Sequence, residues 1–307
     1  MSVAVEGELA SFCAEVGATG PVAVRGGGTR FSIGGPLAAE TRVLGAPAGI
    51  REYRPEEMTV TVLAGTPVAE LHAALAEAGQ RSALPERGGS VGGALALGED
   101  ALGVLTRGKV RNAVLQLRYV SADGVLVKAG APTVKNVSGF DVARLMVGAL
   151  GTLGLLAEAV LRTRPIPAVA TWLRAEGVDP QVVREAARSA AVVLFDGATT
   201  TVSLEGHGVD VDDDSRALGR LGTFTPCAGP PPLPAHRWSL RPAELRHLDV
   251  EATGAYVASI GVGTVFAERP QPRRELPAAV RALAERLKVE FDPTGRLSPG
   301  RDLLAAH

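Results

Sequence analysis

Two stretches of this chain are almost bare of side chains: Arg25-Gly26-Gly27-Gly28-Thr29-Arg30 and Gly88-Gly89-Ser90-Val91-Gly92-Gly93-Ala94. Glycine reaches backbone conformations closed to other residues and lets a second group come up against the main chain. A fold built around such stretches needs tight turns and close backbone approaches, which argues against a helical bundle. The excess is general, with 37 glycines and 21 prolines in 307 residues. Apolar residues make up 46% and charged residues 21%, enough for a sizeable core and against disorder. At roughly 100 to 200 residues per domain, the length suggests two domains or one large one.

Charge narrows the partners. Lys and Arg number 32 against 33 Asp and Glu, aromatics are 4%, and no basic run occurs, so the chain does not read as a nucleic-acid binder. Cys13 and Cys227 match no metal or redox spacing, and a reducing cytoplasm is their simplest setting. The start lacks the pattern of a signal peptide. The uncharged stretches Leu145 to Ala157 and Ala255 to Ala267 fall short of the roughly 20 residues of a membrane span. The expectation is a soluble cytoplasmic protein.

The first half reads as short strands between glycine loops. Val22 to Arg25 is a β-prone run, and Thr59 to Leu63 alternates like a strand with one buried face. Thr66 is placed to cap a helix that Pro67 opens and Gly79 ends, with Val68, Leu71, Leu75 and Ala78 as its apolar stripe. Ala113 to Val120 and Val125 to Lys128 flank a hairpin turn at Asp123-Gly124, where both central residues tolerate positive φ. A short helix is expected over Asp141 to Val147 and a strand over Leu155 to Arg164, closed by Pro165 and Pro167. Beyond these prolines the texture becomes α+β: a helix from Asp179-Pro180 to about Ala191, strands at Ala198 to Leu204 and Ala255 to Ala267, an exposed proline loop at Pro226 to Pro234, and a helix from Pro277 to about Lys288. No internal repeat is visible.

The first glycine run follows a strand and offers consecutive amides, which can form a nest for an anion with arginines nearby to balance charge. It lacks the Gly-Lys-Ser/Thr ending of a nucleotide-triphosphatase loop, and no helix pattern follows it as a dinucleotide fingerprint requires. Alone, it is most simply an ordinary tight turn. Two such loops, each after a strand, begin to look like two walls of one pocket.

A third element carries further weight: Lys135-Asn136-Val137-Ser138-Gly139-Phe140-Asp141, then Gly148-Ala149-Leu150-Gly151-Thr152-Leu153-Gly154 after the short helix. The order of these motifs resembles the flavin-binding domain of the vanillyl-alcohol-oxidase, or p-cresol-methylhydroxylase, type. Within that group it is most similar to the FAD-binding second subunits of bacterial glycolate oxidases. Phe291 to Arg301 resembles the family's ending, which folds back on the flavin domain. The likeness is strong over 20–167 and 288–302; elsewhere it is little more than a matching length.

The resemblance implies an α+β fold: a two-subdomain FAD domain over 1–167 (about 1–86 and 87–167), a smaller α+β cap over 168–287, and a returning segment over 288–307. It implies that Arg25, Gly26, Gly27, Gly28 and Thr29 wrap the FAD diphosphate. Ser90, Gly92, Gly93 and Ala94 would supply the second wall. Lys135, Asn136, Gly139 and Asp141 would lead into the flavin site, and Gly151, Gly154 and Leu155 would contact the cofactor near its adenosine end. A dinucleotide of this size needs bare backbone at several points, which agrees. The implied partners are a small 2-hydroxy acid, a second flavoprotein subunit and an iron–sulfur subunit, with any inner-membrane attachment peripheral and through those subunits.

Some relatives attach FAD covalently through a histidine or cysteine in the first loop; residues 25–31 hold neither, so the expected FAD is non-covalent. His72, His207, His236, His247 and His307 show no ligand spacing beyond the wide pair His236 and His247, and no metal site is expected. Asp210, Asp212, Asp213 and Asp214 fail the calcium-loop pattern, with Ser215 at the sixth position and Leu221 at the twelfth. Gly261-Val262-Gly263-Thr264 reads as a strand with a bulge. No catalytic residue is assignable. Three readings stay open: a flavoprotein subunit acting on a 2-hydroxy acid within a complex, a stand-alone FAD oxidoreductase using its own cap, and a non-catalytic scaffold.

Overall fold

The computed structural model describes residues 3–131, 141–272, 276–302 and 304. The chain runs through α1 (Val3–Val16), β1 (Val22–Val24), β2 (Arg42–Leu44), β3 (Ile50–Arg54), β4 (Thr59–Leu63), α2 (Val68–Glu77) and β5 (Gln80–Arg81). It continues with α3 (Val91–Leu97), α4 (Val104–Arg107), α5 (Val110–Ala113), β6 (Val114–Val120), β7 (Leu126–Gly130), α6 (Val142–Met146), β8 (Leu155–Arg162) and β9 (Arg164–Pro165). Next come β10 (Val169–Glu176), α7 (Pro180–Ala186), β11 (Ala190–Phe195), β12 (Thr199–Gly206) and α8 (Gly208–Gly219). The last elements are β13 (Thr225–Pro226), β14 (His236–Ser239), α9 (Val250–Thr253), β15 (Tyr256–Ser259), β16 (Thr264–Ala267) and α10 (Ala278–Phe291). The class is α+β, as the sequence suggests. Two compact units result: 1–101, 108–165 and 275–306 form the first, and 102–107 with 166–274 the second.

The first unit is built on a five-stranded antiparallel sheet in the order β3-β4-β8-β6-β7. Val60, Val62, Leu117 and Leu161 pack on one face against Leu71 and Leu75 of α2, Leu95 of α3 and Met146 of α6. Leu63, Val120, Leu155 and Ala157 pack on the other face against Leu9, Phe12 and Val16 of α1, together with Val22 and Leu297. Each such valine, leucine, methionine or phenylalanine side chain, fully buried, contributes about 1.5–3 kcal/mol. A bulge lets both faces of β8 stay apolar: Arg118 pairs with Glu158 while Tyr119 pairs with Leu156, so Ala157 is the extra residue.

The end of the described chain is pinned to the start of this unit. Asp292, 2% exposed, accepts from Lys288 Nζ (2.5 Å), Arg296 N (3.0 Å) and Leu297 N (2.7 Å). The Arg296 guanidinium is buried and donates to the carbonyls of Val16, Thr19, Gly20 and Ala122 at 2.8–3.1 Å. Leu297 bridges Val22 in parallel, so this segment lies alongside β1.

The second unit carries a seven-stranded antiparallel sheet, β13-β10-β12-β11-β15-β16-β14. Val193, Val202, Leu204 and Val265 pack with Val183 of α7 and with Val211 and Leu218 of α8. A second cluster, Ala191, Val192, Leu194, Val257 and Phe266, includes the half-buried Leu102, Trp172 and Leu233.

Several local expectations are corrected. Helix α7 stops at Ala186, and Ala190 and Ala191 open β11, where full burial outweighs helix propensity. Ala255 to Ala267 is two strands, and Gly261 and Gly263 turn the chain between them at φ 80° and 90° instead of forming a bulge. Thr66 does not cap α2: it is fully buried, and its hydroxyl accepts from Gly49 N (2.8 Å) and donates to Gly49 O (3.2 Å). At Asp123-Gly124 only Gly124 has positive φ, in a three-residue loop closed by Ser121 N to Val125 O.

Candidate functional site

The first glycine run leaves β1 after Arg25 N donates to Leu44 O (2.9 Å). From there, among the described residues, no acceptor bonds the amides of Gly26, Gly27, Gly28, Thr29 or Arg30. Gly28 adopts φ 72°. Five consecutive N–H groups thus stand ready for an external acceptor. Gly26, Gly27 and Thr29 are exposed and Gly28 and Arg30 half-buried, so an anion from outside can reach these amides.

The second glycine segment is shorter as a loop than its composition suggests. Ser90 is the N-cap of α3, its hydroxyl accepting from Gly93 N at 3.2 Å, and Val91 onward is helical. The two segments meet backbone to backbone. A Cβ on Gly27 would stand 2.9 Å from Gly89 Cα, and one on Gly26 would collide with the Ser90 hydroxyl.

Between them lies a cleft of about 590 Å³, open solvent included, lined by Gly26 to Phe31, Ile33, Leu37, Gly89, Ser90, Gly93, Ala96, Leu97, Leu150, Ser298 and Arg301. A second recess of about 420 Å³, lined by Ala46, Ala64, Gly92, Gly151, Leu155 and Leu156, shares Val24, Gly26, Ser90, Gly93, Ala96 and Leu150 with the first. Two mainly apolar hollows therefore share a wall at Gly26, Ser90 and Gly93.

The expected site residues divide by position. Arg25 flanks the run: its guanidinium lies over the Phe31 ring, 5.4 Å from the centroid. Gly26, Gly27, Gly28, Thr29, Ser90 and Gly93 line the cleft, and Gly92, Gly151 and Leu155 line the recess. Gly93 is the most open of these, since an added Cβ there would meet only the Ser90 hydroxyl at 3.2 Å. Gly92 also spends its amide on Ala64 O (2.7 Å). Ala94 is fully buried in the core, its amide bonded to Ser90 O within α3. Gly154 faces the Tyr119 ring, 2.5 Å from where its Cβ would be, and so makes room for core packing. Asp141 is exposed and caps α6 by accepting from Arg144 N (3.1 Å). Lys135, Asn136 and Gly139 lie outside the described residues.

Charge around the cleft is already paired. Glu99, 5% exposed, approaches Arg30 Nε at 2.9 Å as an ion pair not aligned as a hydrogen bond, and accepts from Arg87 Nη1 at 3.1 Å. Arg30 also donates to Arg87 O (3.1 Å) and Gly88 O (3.2 Å). Arg301 donates to the carbonyls of Phe31 and Ile33, and its guanidinium lies over the Phe31 ring at 4.8 Å. Burial lowers its hold on the proton from the usual arginine value. Glu99, Leu150 and Arg301 are missed by motif reading. Only the family-like ending hinted at Arg301.

Other candidates lie elsewhere. His72 Nε2 is 2.9 Å from Ser82 Oγ, and His207, His236 and His247 are exposed. Asp214 accepts from Ser189 N (2.6 Å) and Ser189 Oγ (2.5 Å), a structural role. Among the described residues, no group of three or more His, Cys, Asp or Glu could hold a metal, and no helix is long and apolar enough to cross a membrane. The free amide run, the room at Gly93 and the paired hollows fit a dinucleotide: a diphosphate on the amides and a ring system to each side.

Comparison with known proteins agrees with this geometry. Residues 2–130 match the family described as FAD binding domain. The glycolate oxidase subunit GlcE of Escherichia coli is 34% identical over 160 residues, 51% of this chain and 46% of that protein. A D-lactate dehydrogenase of Archaeoglobus fulgidus is 33% identical over 151 residues, 47% of this chain and 33% of the relative. The chain thus spans less than half the length of either. An alkyldihydroxyacetonephosphate synthase structure superposes with a TM-score of 0.70 at 14% identity, covering 96% of this chain and 74% of that one, a likeness of fold. On sequence and geometry together, residues 2–130 are similar to the FAD binding domain family.

Proposed function

We propose that this chain is a flavoprotein subunit that binds FAD non-covalently and takes part in oxidising glycolate or a similar 2-hydroxy acid. The observation that carries it is the run of free amides from Gly26 to Arg30, facing Ser90 and Gly93 across one cleft. When bound, the flavin would supply the redox chemistry as a hydride acceptor. The chain's own residues bind and orient: the amide run takes the diphosphate, and Gly93 leaves it room. Leu155, Leu156 and Ala64 exclude water from the recess. No residue of the first loop can form a covalent bond to the ring, since residues 25–31 hold no histidine or cysteine. Relatives that are a glycolate oxidase subunit and a D-lactate dehydrogenase support the substrate class. A glycolate oxidase subunit GlcD of Bacillus subtilis, 36% identical over 78 residues, supports a second flavoprotein partner. An iron–sulfur subunit and a cytoplasmic setting complete the reading.

The absorption spectrum of the purified chain tests this reading. Flavin bands, and free FAD after acid release, are expected; a colourless protein that takes up no added FAD sinks it. The second unit's own seven-stranded sheet favours a second reading, in which this chain works alone and uses that unit as its own cap domain. Bleaching of the bound flavin by glycolate or D-lactate with no other subunit present would select it.

A further inference from the structure

The Glu99 carboxylate sits where three parts of the cleft wall meet. It follows Gly98, the left-handed residue that ends α3. From there it holds Arg30 of the first glycine segment and Arg87, which directly precedes the second. Arg30 completes the clasp by donating to the carbonyls of Arg87 and Gly88. A guanidinium can do this because its planar fork offers several donors at fixed angles, which an ammonium cannot match. A buried carboxylate holding two arginines also costs much to break, because each partner is then left uncompensated.

We propose that Glu99 is a positioning residue for the cofactor's diphosphate. It does not touch the ligand. Through Arg30 it sets the separation between the Gly26–Arg30 amides and the wall at Gly89, Ser90 and Gly93. It also keeps both guanidiniums off the amide bed, so that the diphosphate meets neutral N–H groups. The proposal rests on the reading of this cleft as the FAD site. It adds a residue that supports that site from behind and that belongs to neither glycine motif.

The test uses the full chain as wild type, Glu99→Gln, Arg30→Ala and the double variant. FAD dissociation constants are measured by flavin fluorescence. Amide exchange of the flavin-free proteins is followed at Val68 and Val91, whose N–H groups bond Gly89 O and Thr66 O beside the loop. Each single variant is expected to weaken FAD at least tenfold, and the double variant to be within about threefold of the weaker single one, since both act through one unit. Exchange at Val68 and Val91 should quicken while the β4 and β8 amides keep their rates, a local opening that general destabilisation would not give. Unchanged FAD affinity in Glu99→Gln, additive losses, or uniformly faster exchange would overturn the proposal. If Glu99→Gln does not fold, Arg30→Lys carries the test, with the same tenfold loss expected. If the wild type binds no FAD, the cofactor reading fails by itself, and the exchange arm still decides whether Glu99 holds the loops.

Discussion

Gly27 rests on Gly89 main chain to main chain, with only 2.9 Å between Gly89 Cα and the point where a Gly27 Cβ would be. The first glycine run is therefore bare for two reasons: one side presents amides to the cleft, and the other presses on the opposite loop. Gly93 is different, since an added Cβ there would meet only the Ser90 hydroxyl, at 3.2 Å, where the cleft and the recess meet.

Valine at these two positions should separate the roles. Gly93→Val is expected to leave the melting temperature nearly unchanged and to weaken FAD by roughly a hundredfold, the equivalent of one or two charge-assisted hydrogen bonds. Gly27→Val should lose FAD and also stability, by about 1–3 kcal/mol of overpacking. Calorimetry of the flavin-free proteins beside FAD titration checks both; equal melting losses would contradict the distinction.

Gly154→Ala should destabilise the first unit through Tyr119 by about 1–3 kcal/mol, while the FAD affinity of the folded fraction stays as in wild type. Denaturant unfolding with flavin titration at low temperature decides it. A selective loss of FAD would return Gly154 to the cofactor.

Arg296→Met should cost about 3 kcal/mol or more, because the guanidinium bonds four carbonyls at once, and those of Val16 and Ala122 are buried. Urea unfolding measures it. By contrast His207→Ala, at an exposed position whose side chain makes no capping bond, should leave both flavin content and stability as they are.

Glu158 gives a pH prediction. It is buried beside Arg118 (3.9 Å), which Glu6 also engages (3.2 Å). Burial raises its pKa above the usual glutamate value, and the arginine only partly offsets this. The folded state then binds the proton more tightly than the unfolded state, so ionisation weakens the fold as pH climbs past the raised value. Glu158→Gln is expected to melt above wild type at pH 7–8, with the gap closing as pH falls below the ordinary carboxylate range. A gap that widens in acid would reverse the assignment.

The glycine segments and the α2 stripe were legible because each is local: turn chemistry and periodicity act over a few residues. Glu99 was not, because Arg30 and Arg87 reach it only after the chain has folded. Nor can a glycine's sequence context say whether its bare side meets a ligand, as at Gly93, or another part of the protein, as at Gly27 and Gly154. Ala94 was assigned to the wall by its neighbours, yet the helical turn that Ser90 starts carries it into the core. Helix α1 escaped notice because its apolar residues are spread around much of its circumference and form no single stripe.

Arg296 and Leu297 tie down beside β1, and Ser298 and Arg301 finish the rim of the cleft, yet all four emerge from the ribosome after the entire second unit. The first glycine run is made early but lacks that rim throughout synthesis. On the proposed reading of this cleft, cofactor loading is a late step, and a nascent chain stalled before Asp292 should leave the ribosome unable to retain flavin, however well its first hundred residues have folded.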